Sequence, residues 1–399
     1  MRYVSPSTAA LAAILAGLLW SIGAIDLNAP TPQRFAMLLV GLALLLCAVR
    51  GLPVGVFACA YAVAIGAIER ISRQPLENGS DVLPATAEAL DVLLRGQNPY
   101  THVLQSTIPT GSPFVYPPGE LYYYLGPHLL GMDLHRVETY AGILTIFAIA
   151  VAGARAGWAQ AALPAMLYAT WGIAAFRTTD GGNDVSAALL VVSGFVAMAF
   201  PGRVAFVISA VALGWALAFK QFAVLVLPLA LRHLAVSGAD WRRYALVSLG
   251  TATVMTLPFF LMDPVAFARQ QVAALTFHED VWGTNVLNAL KNSGRDVEGL
   301  LPLFFLLELG LTLAALALAL RARLATIGEA AIAAGLCVTV PLLLARWTTQ
   351  SYYVYAVTLA LAGLVVLQVT AFGYQTGTCS RDNTPVVVTE TPRTKVPLV

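Results

Sequence analysis

The sequence predicts an all-α polytopic membrane protein, a bundle of about twelve transmembrane helices. Three observations lead there. Hydrophobic types make up 58% of the 399 residues and charged types only 11%, where a soluble domain carries about 25% charge. Mean hydropathy is +0.76. Apolar runs long enough to cross a bilayer recur along the chain between short polar turns. This composition excludes an ordinary soluble enzyme, and it excludes disorder for the body of the chain. The formal net charge of +2, from 23 basic and 21 acidic residues, leaves no footprint for nucleic acid.

The spans fall at about 8–25, 35–49, 52–68, 138–154, 157–175, 185–200, 204–219, 221–233, 243–262, 300–320, 326–345 and 351–371. The first follows Arg2 and lacks a small-x-small cleavage site behind it, so it reads as a helix rather than a signal peptide. An even number of spans places both termini on one side. Arg50, Arg155, Arg203, Arg232, Arg242, Arg243, Arg321, Arg323 and Arg381 fall on that side, which the positive-inside rule makes cytoplasmic. The opposite side holds two long loops, about 69–137 and 263–299, and most of the acids: Asp81, Glu88, Asp91, Glu120, Asp180, Asp184, Glu279 and Asp280. Residues 1–371 thus form one membrane domain, and 372–399, rich in Thr, Pro and charge, read as a disordered cytoplasmic tail. Of the four cysteines, Cys47, Cys59 and Cys337 lie in apolar runs and no pair has metal or redox spacing.

The first long loop is not compositionally disordered. From Pro84 to Arg95 it has helix formers with Leu90, Leu93 and Leu94 on one side, a proline suited to the first turn and Gly96 suited to the C′ position. An amphipathic helix in the membrane interface follows. Asp81 stands just before it. Residues 119–131 are apolar but short and contain Pro127, which fits an interfacial or re-entrant helix better than a span.

The order Asp81, Gly96-x-Asn98-Pro99-Tyr100, Phe114-x-Tyr116-Pro117-Pro118 resembles the polyprenyl-phosphate-sugar-dependent glycosyltransferases of the GT-C fold. Within them it is most similar to glycosyltransferase family 87, the α-mannosyltransferase-like membrane proteins. Further similarities follow in order: Gly182-Asn183-Asp184, Phe219-Lys220-Gln221 with Leu227-Pro228-Leu229, Leu257-Pro258-Phe259, and Gln350-Ser351-Tyr352-Tyr353. There are two departures. Three spans precede the first long loop where the pattern has one, and no aromatic residue lies between Val82 and Ala87.

The resemblance implies an inverting transfer of a sugar, mannose or related, from a polyprenyl-phosphate donor to a hydroxyl on a lipid or glycan acceptor. It implies an integral protein of the bacterial plasma membrane, in contact with membrane lipids, with its active site on the extracytoplasmic face. Such chemistry needs a base, cations for the phosphate and a groove for a lipid tail. Asp81 is the candidate base, with a helix cap as its alternative role. Lys220 and Arg346 are candidate phosphate binders, because both fall at outer span ends against the inward bias of basic residues; snorkelling to headgroups is the alternative. Asp184, Asn183, Tyr100, Tyr116, Gln350, Tyr352 and His278 are candidate substrate contacts. Asp180 reads as a cap. A divalent cation is compatible with Asp180 and Asp184, but no full ligand set is visible and no cofactor is predicted. Glu308, inside a span, reads as a neutral carboxyl bonded to a neighbouring helix. Two alternatives remain: a transporter or flippase for a lipid or small solute, and a non-catalytic membrane protein of the same fold. Transport is disfavoured because the ionisable groups gather in long loops rather than at the midplane.

Overall fold

A computed structural model describes residues 6–25, 32–76, 79–108, 110–276 and 281–373. Each of the twelve predicted spans falls on a helix. α1 (Pro6–Ile25), α2 (Pro32–Val49) and α3 (Gly55–Ile71) precede the first long loop, which carries α4 (Val82–Leu94) and α5 (Gly119–Leu129). Then come α6 (Leu134–Val151), α7 (Gly153–Ala156), α8 (Trp158–Thr170), α9 (Gly172–Phe176), α10 (Asp184–Met198), α11 (Arg203–Phe219), α12 (Ala223–Ser237) and α13 (Trp241–Met262). The second long loop holds α14 (Pro264–Thr276), β1 (Trp282–Gly283) and α15 (Val286–Asn292). The chain closes with α16 (Leu301–Arg321), α17 (Ile327–Leu344), β2 (Trp347–Thr348) and α18 (Gln350–Val365).

The protein is an all-α polytopic membrane protein. Five of these helices are long and apolar enough to cross a bilayer alone, and several more are shorter apolar helices. Outward-facing large hydrophobics such as Leu246 on α13, 73% exposed, and Phe305 on α16, 65% exposed, make sense only against lipid.

Helices that meet in a membrane do so through small residues, because lipid tails remove the hydrophobic drive for association. A Cβ on Gly214 of α11 would overlap the Ser248 carbonyl of α13, and one on Gly328 of α17 would overlap the Gly363 carbonyl of α18. Arg70, fully buried near the end of α3, supplies a different joint. Its guanidinium donates to the Tyr168 and Ala169 carbonyls at 3.1 Å each and lies over the Tyr168 ring. Those are among the last carbonyls of α8, which its own helix leaves without partners. Arg70 therefore caps α8 while pinning α3 to it.

Several sequence expectations shift. The predicted span 157–175 breaks into α8 and α9 at Trp171, whose ψ of 101° is extended. The predicted helix 84–95 starts earlier, at Val82. Its buried face is Leu83, Thr86, Ala89 and Leu90, while Leu94 is exposed, because the helix packs on α5 and α6 rather than lying free in the interface. Gly96 takes a φ of +75° just past the end of α4, the left-handed conformation that stops a helix. The second long loop contains α14, α15 and β1, and β1 pairs in parallel with β2 ahead of α18. Glu308 is half-buried on α16 and meets no hydrogen-bond partner on a neighbouring helix among the described residues, contrary to expectation. Packing continues through Phe372, buried against Phe206 and Tyr244, so order extends past residue 371; residues 374–399 lie outside the described residues.

Gly328→Leu should force α17 away from α18 and cost about 1–3 kcal/mol, as overpacking does. A lowered midpoint in thermal unfolding of the detergent-solubilised protein would show it; an unchanged midpoint would mean that the two helices do not meet at Gly328.

Candidate active site

The site is built where the long first loop folds back on the ends of α10 and α11. Two backbone joints place it. The Leu76 and Leu83 amides donate to the Thr179 and Gly181 carbonyls at 2.9 Å, and the Ser80 amide donates to the Asp180 carbonyl. This stitches the segment before α4 onto the turn before α10. Glycine is required on both sides. A Cβ on Gly79 would overlap the Asp180 carbonyl, and one on Gly181, whose φ is +84°, would overlap that of Ser80. The second joint is Gly119, where a Cβ would overlap the Ala218 carbonyl at the end of α11. The Trp215 indole donates to the Gly119 carbonyl at 2.9 Å, so the start of α5 is held against α11.

These joints bring charged side chains together. Lys220 caps α11 and is buried, 5% exposed, as is Asp184 at 4%. Its ammonium donates to Asn183 Oδ1 at 2.6 Å, forms an ion pair with the Asp184 carboxylate, and lies 5.1 Å from the centre of the Tyr352 ring. An ammonium has three donors, and the third N–H meets no acceptor among the described residues. Asn183 continues the chain: its Nδ2 donates to Glu120 Oε2 at 2.6 Å. Glu120, fully buried at the start of α5, also contacts the Thr86 hydroxyl of α4. At eleven residues α5 is too short to span a bilayer. Burial pushes the Glu120 carboxyl up to about 8, despite hydrogen bonds and the Lys220 charge that favour ionisation.

Asp81 sits at the head of α4 and is half-buried. Its side chain makes no cap hydrogen bond. Instead Oδ2 accepts from the Ile108 amide at 2.6 Å, and the second oxygen meets no donor among the described residues. Glu88, two turns on, grips the same loop through the Gln105 and Ser106 amides and the Ser106 hydroxyl. Burial opposes ionisation of Glu88, but those hydrogen bonds prevail and hold its carboxyl below the usual range. Tyr116 is where the site's charges converge. Burial raises its phenol well above the ordinary value, and Tyr352, Glu120, Asp81 and Asp184 all add to the rise. Tyr116 and Tyr352 are therefore each within electrostatic reach of both Asp81 and Asp184, and Lys220 is within reach of Asp184, Tyr352 and Glu120.

The other predicted residues have different surroundings. Tyr100 is fully buried among Phe114, Phe259 and Phe267, with its hydroxyl donating to the Tyr116 carbonyl at 2.7 Å. It supports the strap that carries Tyr116. Gln350 accepts from Arg177 at 3.4 Å, and Arg177 pairs with Asp180 at 2.5 Å, so Gln350 reaches the α10 turn through one intermediary. Asp180 Oδ1 accepts from the Gly182 amide at 3.0 Å, shaping the turn before α10. Arg346 immediately precedes β2, and its carbonyl accepts from the Trp282 amide at 3.0 Å. His278 lies outside the described residues.

Sequence reasoning did not single out Glu120 or Glu138 as site residues. Glu138 is fully buried on α6 and held by Tyr124 and Ser186. Both stand in apolar surroundings in the sequence, where a carboxylate is expensive, and that was the available signal. Among the described residues no group of three or more His, Cys, Asp or Glu side chains is placed to hold a metal. A cavity of about 510 Å³ lies between Ser7, Leu52, Pro53 and Trp158, at the opposite end of α3 from this cluster, and no titratable side chain lines it.

No family model matches the chain, and no curated protein matches it. Among solved structures the chain is similar to ArnT from Cupriavidus metallidurans in the apo state, with a TM-score of 0.50 and 17% identity over 79% of this chain. The match covers 60% of that protein's length, so this chain corresponds to a little over half of it. The likeness shows the fold: this is a GT-C-like membrane bundle.

Breaking the Lys220–Asp184 pair should leave a buried charge without compensation. Lys220→Met and Asp184→Asn should each cost about 3–5 kcal/mol, and the double variant less than their sum. Unfolding the four proteins in detergent measures the coupling; strict additivity would mean the pair is not buried as described.

Proposed function

We propose that this protein is a glycosyltransferase using a polyprenyl-phosphate-linked sugar as donor and a hydroxyl on a lipid or glycan as acceptor. The observation that carries the proposal is the buried Lys220 ammonium at the loop end of the bundle, with one N–H unspent and beside Tyr352, a tyrosine that is also within electrostatic reach of Asp81. The GT-C-like fold supports it, and the ordered motifs resembling family 87 support mannose or a related sugar.

In this mechanism Lys220, oriented by Asn183 and Asp184, binds the donor phosphate and stabilises the charge that develops on the leaving oxygen. Asp81 keeps one oxygen on the Ile108 amide and uses the other as general base. The acceptor O–H gives its proton to Asp81 as its oxygen forms a bond to the anomeric carbon. The bond from that carbon to the phosphate oxygen breaks, and its electron pair leaves with the polyprenyl phosphate. Attack opposite the phosphate inverts the anomeric centre. Tyr116 and Tyr352, with hydroxyls close to both acids, hold sugar hydroxyls. Gln350 and Arg346 are assigned to the donor by sequence position alone. One membrane domain over 1–371 carries the reaction at the extracytoplasmic face of a bacterial plasma membrane.

Asp81→Asn keeps the oxygen that accepts from Ile108 and loses the base. Transfer of radiolabelled sugar from polyprenyl-phosphate donors in membranes should fall about 10²–10⁴-fold. Unchanged transfer would remove Asp81 from the mechanism. For orientation, Gln97 is exposed on the first long loop. In a background free of other cysteines, Gln97→Cys should react with an impermeant maleimide on intact cells. Labelling only after lysis would place the site in the cytoplasm.

A further inference from the structure

The two oxygens of Glu120 have different neighbours. Oε2 accepts from Asn183 Nδ2, while Oε1 contacts the Thr86 hydroxyl. That hydroxyl also lies 2.7 Å from the Val82 carbonyl oxygen, its own helical i−4 acceptor. A hydroxyl has one proton to give, and a carbonyl can only accept. Both contacts can be hydrogen bonds at once only if Thr86 gives its proton to Val82 and the carboxyl carries a proton that it donates to Thr86. We propose that Glu120 stands protonated in the resting protein, donates to Thr86, and thereby keeps the Asn183–Lys220–Asp184 cradle able to accept an anionic phosphodiester.

Charge counting explains why this matters. Lys220 and Asp184 cancel one another. An ionised Glu120, one amide away through Asn183, would leave the cradle net negative, and in a site closed to water it would repel the phosphate. A neutral Glu120 leaves the unspent Lys220 N–H facing no excess of negative charge. Glu120 is thus a positioning residue that acts through Asn183 and Lys220. The polar and titratable groups around it come from the loop, from α5 itself and from α4, α6 and α11, while α13, also packed on α5, meets that helix through Phe259. Lys220 ends α11, Glu138 comes from α6, and Tyr100 and Tyr116 come from the loop. Tyr124 lies on α5 itself, and α4 contributes Thr86 and, at its head, Asp81. Lys220 favours the ionised form and Glu138 the neutral one. Burial is the largest influence and pushes the carboxyl up to about 8, so the proton is held at neutral pH and released above it.

Glu120→Gln is the test, since a glutamine amide can donate to Thr86 and accept from Asn183 as the protonated acid does. This inference rests on the phosphate-binding role of Lys220, so two readouts are needed. The first is independent of function: infrared difference spectra between wild type and Glu120→Gln, with the full chain in lipid nanodiscs. A protonated-carboxyl band at pH 7, replaced by a carboxylate band above about pH 8, is expected. A carboxylate already present at pH 7 would overturn the proposal. The second is binding of a polyprenyl methyl phosphodiester, a probe whose own charge does not titrate in this range. Wild-type affinity should fall by up to tenfold for each pH unit above about 8. Glu120→Gln should bind as wild type does at pH 7 and stay flat to pH 10, whereas Glu120→Ala should lose binding at every pH. An alkaline loss that persists in Glu120→Gln would overturn the proposal. If neither protein binds the probe at any pH, the donor assignment fails, and the infrared band still decides the state of Glu120.

Discussion

A lysine ammonium buried at the end of a membrane helix is the constraint around which the loop end of this protein is arranged. Stripped of water, that charge is costly unless a counter-ion and hydrogen-bond acceptors are held against it. Asp184 and Asn183 supply both, Asn183 is fixed in turn by Glu120, and Glu120 by Thr86. The five residues of this series come from four parts of the chain: the end of α11, the start of α10, which supplies both Asn183 and Asp184, the start of α5 and the N-terminal part of α4. Satisfying one cation therefore fixes the relative positions of four helix ends, and the same arrangement gives the site its chemistry.

Close backbone approach makes the arrangement attainable. Gly79, Gly181 and Gly119 stand where two chains touch with no room for a side chain, and each contact sits beside a carboxylate of the cluster: Asp81, Asp184 and Glu120. The long loop is then held from outside by further carboxylates. Glu88 grips the 105–106 amides, and Asp91 pairs with His128 at 2.8 Å between α4 and α5. Acids that look alike in the sequence thus divide into two groups. Glu88 and Asp91 hold loop amides and a histidine, whereas the buried Asp184 and Glu120 hold Lys220 and Asn183.

The three helices before the first long loop belong to the same packed body. α1 and α3 both lie on α8, and Arg70 ties α3 to the carbonyls at the end of α8. The segment leaving α3 runs directly into the Leu76–Leu83 joint with the α10 turn. That joint ties the chain to the α10 turn on both sides of Asp81, through Leu76 and Ser80 before it and Leu83 after it.

The sequence alone determined the class of protein, the positions of the apolar helices, apart from the break at Trp171, and the gathering of acids in the long loops. Each follows from local quantities: composition, the length of apolar runs and the sign of the charges between them. It also picked out Asp81, Asn183, Asp184, Lys220, Tyr116 and Tyr352, because motif order survives in one dimension. Only the tertiary structure decided what these residues do to one another. Nothing in the residues near Asp81 says that its carboxylate turns from its own helix to the Ile108 amide. Nor could spacing show that Tyr100 is a buried support, or that Glu120, a loop acid like its neighbours in sequence, ends beside Asn183 with no access to water. These partnerships join segments 16, 27 and 63 residues apart in the chain, and no local pattern encodes them.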